Sequence, residues 1–251
     1  MREETPAGSP LSLGSIVSGA LSLPSIHRIR LWRGIGLPFF IIIAGAMTVA
    51  FSGLFRQPHA RHWLAAAIFC CTAVMAVVIH RLVLLPVGTS PGSMRLRLQR
   101  LAKAVLAMLG LWAIFVAVGL GFAYLLRGAS GAISIFVPPF WLQTLGATAA
   151  VWVVARLCLV IPGLVLDRPN SWHTAWQASR GNGWRLAAVL AVMPWLLVLF
   201  VQTLWPRGVD RLQFVLLVLM MALLSIFELF ALSLSYRALT TPGPRPSDPR
   251  G

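Results

Sequence analysis

Four residues of this chain stand where an apolar run gives no reason for them: Arg156, Glu228, His80 and Arg81. Glu228 is the only acidic residue inside a long apolar stretch, and the other three lie within two further stretches. At about 1.5 Å per helical residue, Glu228 lies about 13 Å before Arg237, and Arg156 lies about 7–8 Å before Ile161. His80 and Arg81 are about as deep before Pro86. A carboxylate in hydrocarbon is costly unless it is protonated or paired. All four residues could therefore share one half of a helical core. One reading is a polar cluster that handles a proton, an ion or an anionic substrate. The other is an internal ion pair that fixes helix register, with Arg81 and Arg156 reaching toward headgroups along their aliphatic stems.

Little else in the sequence offers chemistry. It contains no HExxH, no GxSxG and no P-loop. The remaining acids, Glu3, Glu4, Asp167, Asp210 and Asp248, are too scattered to hold a divalent ion. Cys70 and Cys71 are adjacent, Cys158 is remote, and all three fall in apolar runs, which suits small buried side chains rather than a metal or redox site. No catalytic residue, metal or cofactor is expected. An embedded enzyme using His80 or Glu228 as acid or base is the weakest of the functional readings.

The elements that must position these residues follow from composition. Of 251 residues, 58% are hydrophobic and 11% charged, whereas a soluble domain is about a quarter charged. Such a chain has too little polar surface to face water, and a bilayer removes the difficulty. The net charge of +15 does not indicate nucleic acid, because the basic residues lie between apolar runs rather than along one stripe. A secretory signal peptide is not expected either: Arg2-Glu3-Glu4 opens the chain and serines interrupt its first apolar segment.

Spanning a bilayer takes roughly 20 apolar residues in a helix. Six stretches meet or approach that length: 34–55, 63–87, 104–126, 141–161, 186–205 and 212–236. The expected fold is all-α, a single domain over residues 1–251. An interfacial segment at 11–33 precedes a six-span bundle at 34–240, and a flexible tail follows at 241–251. Counting Lys and Arg, 15 of the 21 fall on the side of the two termini and five on the other, with Arg156 inside a span. The asymmetry predicts both ends in the cytoplasm. Trp32, Trp63, Trp141, Trp184, Trp205 and Tyr236 sit near the span ends, where aromatic rings favour the headgroup level.

Two shorter helices are expected at the interface. In the first, near 11–23, Leu13, Ile16, Val17, Ala20 and Leu21 recur at helical spacing with serines between them, and Pro24 closes it. A disordered tail is the alternative. The second, near 171–180, is capped by Asn170 or Ser171 and places Trp172, Ala175, Trp176 and Ser179 on one face. Gly181 is suited to the left-handed position after it, and His173 points away. Trp172, Trp176, Trp184 and Arg185 are the expected interfacial anchors. Small residues at Ala113, Ala117 and Gly121, at Gly146 and Ala150, and at Ala187 and Ala191 are expected to let helices approach within the bundle, or in a homodimer. The echo of Arg81…Pro86 in Arg156…Pro162 suggests hairpin units laid side by side.

The run Arg156-Leu157…Pro162, then Ala175-Trp176…Ser179 and Gly181…Trp184-Arg185, resembles the YciC-like six-span proteins of the bacterial inner membrane. It is similar also to the membrane domain attached to some glycerophosphodiester phosphodiesterases. The likeness covers 152–190 best and 11–33 moderately. It implies a helical protein of the cytoplasmic membrane with no catalytic residues to carry over, the phosphodiesterase barrel being missing. The functional expectation is a non-catalytic module assisting or regulating envelope or lipid processes. Its expected partners are the bilayer, anionic lipid headgroups, and a membrane protein or second copy. The alternative is a small transporter or channel subunit using the Arg156/Glu228 region.

Overall fold

The computed structural model describes residues 11–52, 54, 57–86, 93–133, 139–168, 172–192 and 210–240, and these are helical throughout apart from turns and connections. The helices are α1 (Leu13–Ile26), α2 (Arg28–Phe51), α3 (Pro58–Leu84), α4 (Met94–Ile133), α5 (Pro139–Leu157), α6 (Val160–Val165), α7 (Trp172–Ala178), α8 (Gly183–Ala187) and α9 (Arg211–Thr240). A π-helical turn, Ala188–Val192, continues α8. Five segments are long and apolar enough to cross a membrane: Arg28–Phe51, His62–Leu84, Met94–Phe122, Gly146–Val165 and Arg211–Thr240. The chain is thus a multi-pass membrane protein. The expected span at 186–205 begins with α8 and its π turn, and its remainder lies outside the described residues, as does the tail at 241–251.

Helices α2 and α3 form one close antiparallel pair and α4 and α5 another. The final helix sits at the centre. Its C-terminal half is buried almost all round, with Phe230, Ala231, Leu232, Ser233, Ser235 and Tyr236 enclosed, and it packs on α1, α2, α3 and α6. Packed between it and α3, α2 buries Leu31, Ile35, Pro38, Ile42, Ala46 and Val49 at helical spacing. The shared face excludes lipid and allows dense side-chain contact.

Several boundaries differ from the sequence expectation. Pro24 does not end α1, which runs to Ile26. A proline near a helix end forfeits one hydrogen bond without disrupting several turns, and His27 N–H still donates to Leu23 O at 3.0 Å. The basic segments before the first and third spans are helical too, since α2 starts at Arg28 and α4 at Met94. The fourth span is broken at Cys158-Leu159, where Ile161 N–H donates to Cys158 O at 3.0 Å instead of continuing the α ladder. Pro162 has no N–H to offer that carbonyl, and the tighter bond satisfies it.

The small-residue stripe at Ala113, Ala117 and Gly121 is exposed rather than packed within the bundle. Gly146 and Ala150 are buried as expected, with Gly146 against Phe122. A tighter approach exists at Gly34, where a Cβ would lie 2.5 Å from Val78 Cγ1. Val78 is branched at Cβ and cannot swing aside cheaply. Gly34→Ala is therefore expected to destabilise the α2–α3 pair by roughly 1–3 kcal/mol. Val78→Ala in the same chain should recover much of that loss. Gly14→Ala, with nothing within 4 Å, should leave the thermal melt in detergent unchanged or slightly raised. Equal melts for Gly34→Ala and wild type would refute the contact.

Candidate functional site

The four residues singled out from the sequence do not form one cluster. Arg156 lies on α5 with 7% of its surface exposed. Its guanidinium lies in the corner made by two indoles, 4.9 Å from the Trp152 ring and 3.5 Å from the Trp176 ring. Arg156 Nε donates to Ser179 Oγ at 2.9 Å, and Nη2 donates to the Trp176 carbonyl at 2.8 Å. No described carboxylate pairs with it. The charge is carried by neutral acceptors and two π faces, both favourable for a guanidinium.

The local chain is shaped to allow this. Trp152 and Arg156 are one helical turn apart and so share a face of α5. The Trp152 and Trp176 rings meet edge to face at 5.6 Å, bringing α7 onto α5. After α7, Gly181 takes φ 74, the left-handed value expected of it. Gly183 then passes so close that a Cβ would meet Arg156 Cδ at 2.9 Å and Trp152 Nε1 at 3.1 Å. Asn182, 2% exposed, accepts from Leu11 N–H through Oδ1 at 2.9 Å, and Arg185 Nη1 donates to Leu11 O at 3.0 Å. The same turn thus holds the start of α1.

Two of the expected anchors, Trp176 and Arg185, are taken up by protein contacts. Within the face Trp172, Ala175, Trp176 and Ser179, Ala175 and Ser179 are buried, while Trp172 is 38% exposed with its ring edge against Gly110 of α4. Trp176 binds Arg156, and Arg185 binds the backbone of Leu11. Trp184 remains 58% exposed, with the Arg185 guanidinium 5.6 Å from its ring. His173 is exposed and pairs with Gln177 at 2.7 Å. The expected caps Asn170 and Ser171 lie outside the described residues.

His80 is fully buried, with Nδ1 2.7 Å from Ser233 Oγ. Ser233 donates its own hydroxyl to Leu229 O at 2.7 Å, so Nδ1 must be the donor in the first bond. Nε2 then faces the core without a partner among the described residues. His80 ties α3 to α9. Glu228 is half-buried on α9 and makes no ion pair with Arg156.

Arg81 belongs to a different group, within electrostatic range of Arg100 and Asp167. Arg100 Nε donates to Asp167 Oδ2 at 2.8 Å, and Lys103 Nζ lies 3.6 Å from Oδ1. Sequence reasoning passed over Asp167 as one of the scattered acids. It holds the left-handed position after α6, φ 55, with Asp167 N–H donating to Leu164 O and Arg168 N–H to Gly163 O. This is the glycine-type helix ending, here with aspartate in the glycine position. The available signal was an acid directly after an apolar helix in a chain with only 6 acids. Partial burial alone would raise its carboxyl, but the hydrogen bond and charge of Arg100, with Lys103, outweigh that and hold it below the usual range.

Among the described residues no group of three or more His, Cys, Asp or Glu could hold a metal ion. Comparison of the chain with protein families, curated proteins and solved structures gives no match, so the site is read from its own geometry.

Arg156→Lys keeps the charge but loses the flat stacking and the paired donors. It should cost roughly 1–3 kcal/mol, seen as a lower melting temperature in detergent; an unchanged melt would count against the clamp. Because Asp167 is held low, its contribution to stability is present above about pH 4 and lost as pH falls through the lower folded value. Between about pH 5 and pH 3 the melting temperature of Asp167→Asn should therefore fall less than that of wild type. Parallel declines would refute the pairing.

Proposed function

We propose that the chain is a non-catalytic module of the bacterial cytoplasmic membrane, crossing it six times with both termini in the cytoplasm. It assists or regulates envelope or lipid processes through membrane partners. The observation that carries this reading is the fate of Arg156. The most buried arginine among the described residues is engaged by Trp152, Trp176 and Ser179 and keeps only 7% of its surface exposed. The resemblance of residues 152–190 to YciC-like proteins points the same way. The cytoplasmic orientation is supported by the excess of basic residues on the terminal side.

One observation favours the transporter reading. Glu228 is a half-buried carboxylate in a membrane helix, and no described residue pairs with it. Such a group is by default a candidate for ion or proton handling. Purified protein in proteoliposomes separates the two. The module reading expects proton, cation and small-anion flux no greater than in protein-free vesicles, for both wild type and Glu228→Gln. Flux by wild type that disappears in Glu228→Gln would establish transport and overturn the module reading.

A further inference from the structure

A two-lobed cleft opens where α2 begins and α3, α6 and α9 end. The larger lobe encloses about 390 Å³ and is lined by His27, Arg168, Tyr236, Arg237 and Thr240, together with the apolar end of α3. The smaller encloses about 270 Å³ beside Leu159, Ala175 and Ala178. Arg168, Tyr236 and Thr240 belong to both lobes, so the lobes are neighbours across one shared wall. Ligand sites commonly fall between about 300 and 1,000 Å³, and the larger lobe alone is within that range.

The charge balance of this cleft is one-sided. His27, Arg168 and Arg237 line it, and among the described residues no acid does. The nearest acid in sequence, Asp167, is directed to Arg100 and Lys103 on α4. Arg168 follows it immediately, its backbone N–H fixed to Gly163 O at 3.1 Å, and enters the cleft without a described counter-charge. The helix ending that commits Asp167 to α4 is thus what leaves Arg168 uncompensated. Glu228 lies eight residues before Tyr236, about 12 Å along α9.

We propose that this cleft binds a phosphate ester of net negative charge, with Arg168 and Arg237 holding the anion and Tyr236 and His27 beside it. Guanidinium forks match phosphate oxygens in pairs. Two guanidiniums, a phenol and an imidazole also offer more donors than the two oxygens of a carboxylate accept. The remaining walls, Leu82, Leu85 and Leu166 in one lobe and Leu159, Ala175 and Ala178 in the other, suit the first carbons of an attached chain. A membrane phospholipid headgroup and a soluble phosphate ester share this chemistry. The inference rests on the membrane-module reading only for the setting in which the ligand is met.

The test uses the purified full chain in detergent, with dioleoylphosphatidylglycerol, dioleoylphosphatidylcholine, glycerol 3-phosphate and inorganic phosphate as separate probes. Native mass spectrometry reads retained lipid, and thermal melts read all four probes. Either phosphatidylglycerol or the soluble phosphates should bind about tenfold tighter than phosphatidylcholine. Preference for the lipid assigns a headgroup source, and preference for the soluble probes assigns a free ester. Arg168→Gln with Arg237→Gln should remove that preference about tenfold. Arg95→Gln with Arg97→Gln, which removes the same charge from exposed positions on α4, should keep it. An equal loss in both double variants would overturn the site in favour of general surface charge. No preference in the wild-type protein would overturn it without reference to any variant. Proteoliposome flux would sink the module reading and leave lipid retention untouched, so the two failures are distinguishable.

Discussion

A guanidinium withdrawn from water must be given acceptors, and the way Arg156 obtains them organises its half of the molecule. No described carboxylate reaches it; the chain returns after α6 and supplies the Trp176 carbonyl and the Ser179 hydroxyl instead. The carbonyls of a helix's last turn have no partner within the helix, and α7 ends where Arg156 can donate to one. Trp152 and Trp176, set at right angles, form a corner that holds the charge. Gly183 passes where no Cβ would fit. Each of these positions follows from the need to satisfy one buried cation.

The consequence reaches the start of the chain. Asn182 and Arg185, on the turn that Gly181 and Gly183 permit, hold the backbone of Leu11 from both its N–H and its carbonyl. That seats α1 on α9, where Gly19 lies so near Leu234 that a Cβ would fall 2.9 Å from its Cδ1. The start of the first helix is thereby held by a segment about three-quarters of the way along the sequence. Of the apolar stripe of α1, Ile16 and Ala20 are buried against protein, while Leu21 stays exposed.

At the same end of the bundle, Asp167 divides the cations. It engages Arg100 and Lys103 from α4, with Arg81 of α3 in range, and so ties three helix ends together. A left-handed aspartate costs more than a glycine there, and the ion pairs it makes are the compensation. The acid committed to α4 is unavailable to Arg168, which is how a strongly basic end comes to contain both a neutralised junction and a cleft lined, among the described residues, by cations without an acid.

Composition and periodicity were enough for the broad architecture. Apolar runs of bilayer length require helices, because no other single segment satisfies its own backbone in hydrocarbon. The stripe Leu13, Ile16, Val17, Ala20 and the left-handed Gly181 were legible for similar local reasons. The grouping of the four polar residues was not. Depth along a helix is readable at a fixed rise per residue, but the direction a side chain faces depends on which helices become neighbours. His80 and Arg81 are adjacent in sequence, yet one meets Ser233 on α9 while the other lies near Asp167 beyond α6. The exposed stripe at Ala113, Ala117 and Gly121 and the inward turn of Trp176 have the same origin. Local patterning determined that the chain would be helical and lipid-coated. Packing, by bringing distant acceptors within hydrogen-bond range, decided which charges are buried, paired or left open.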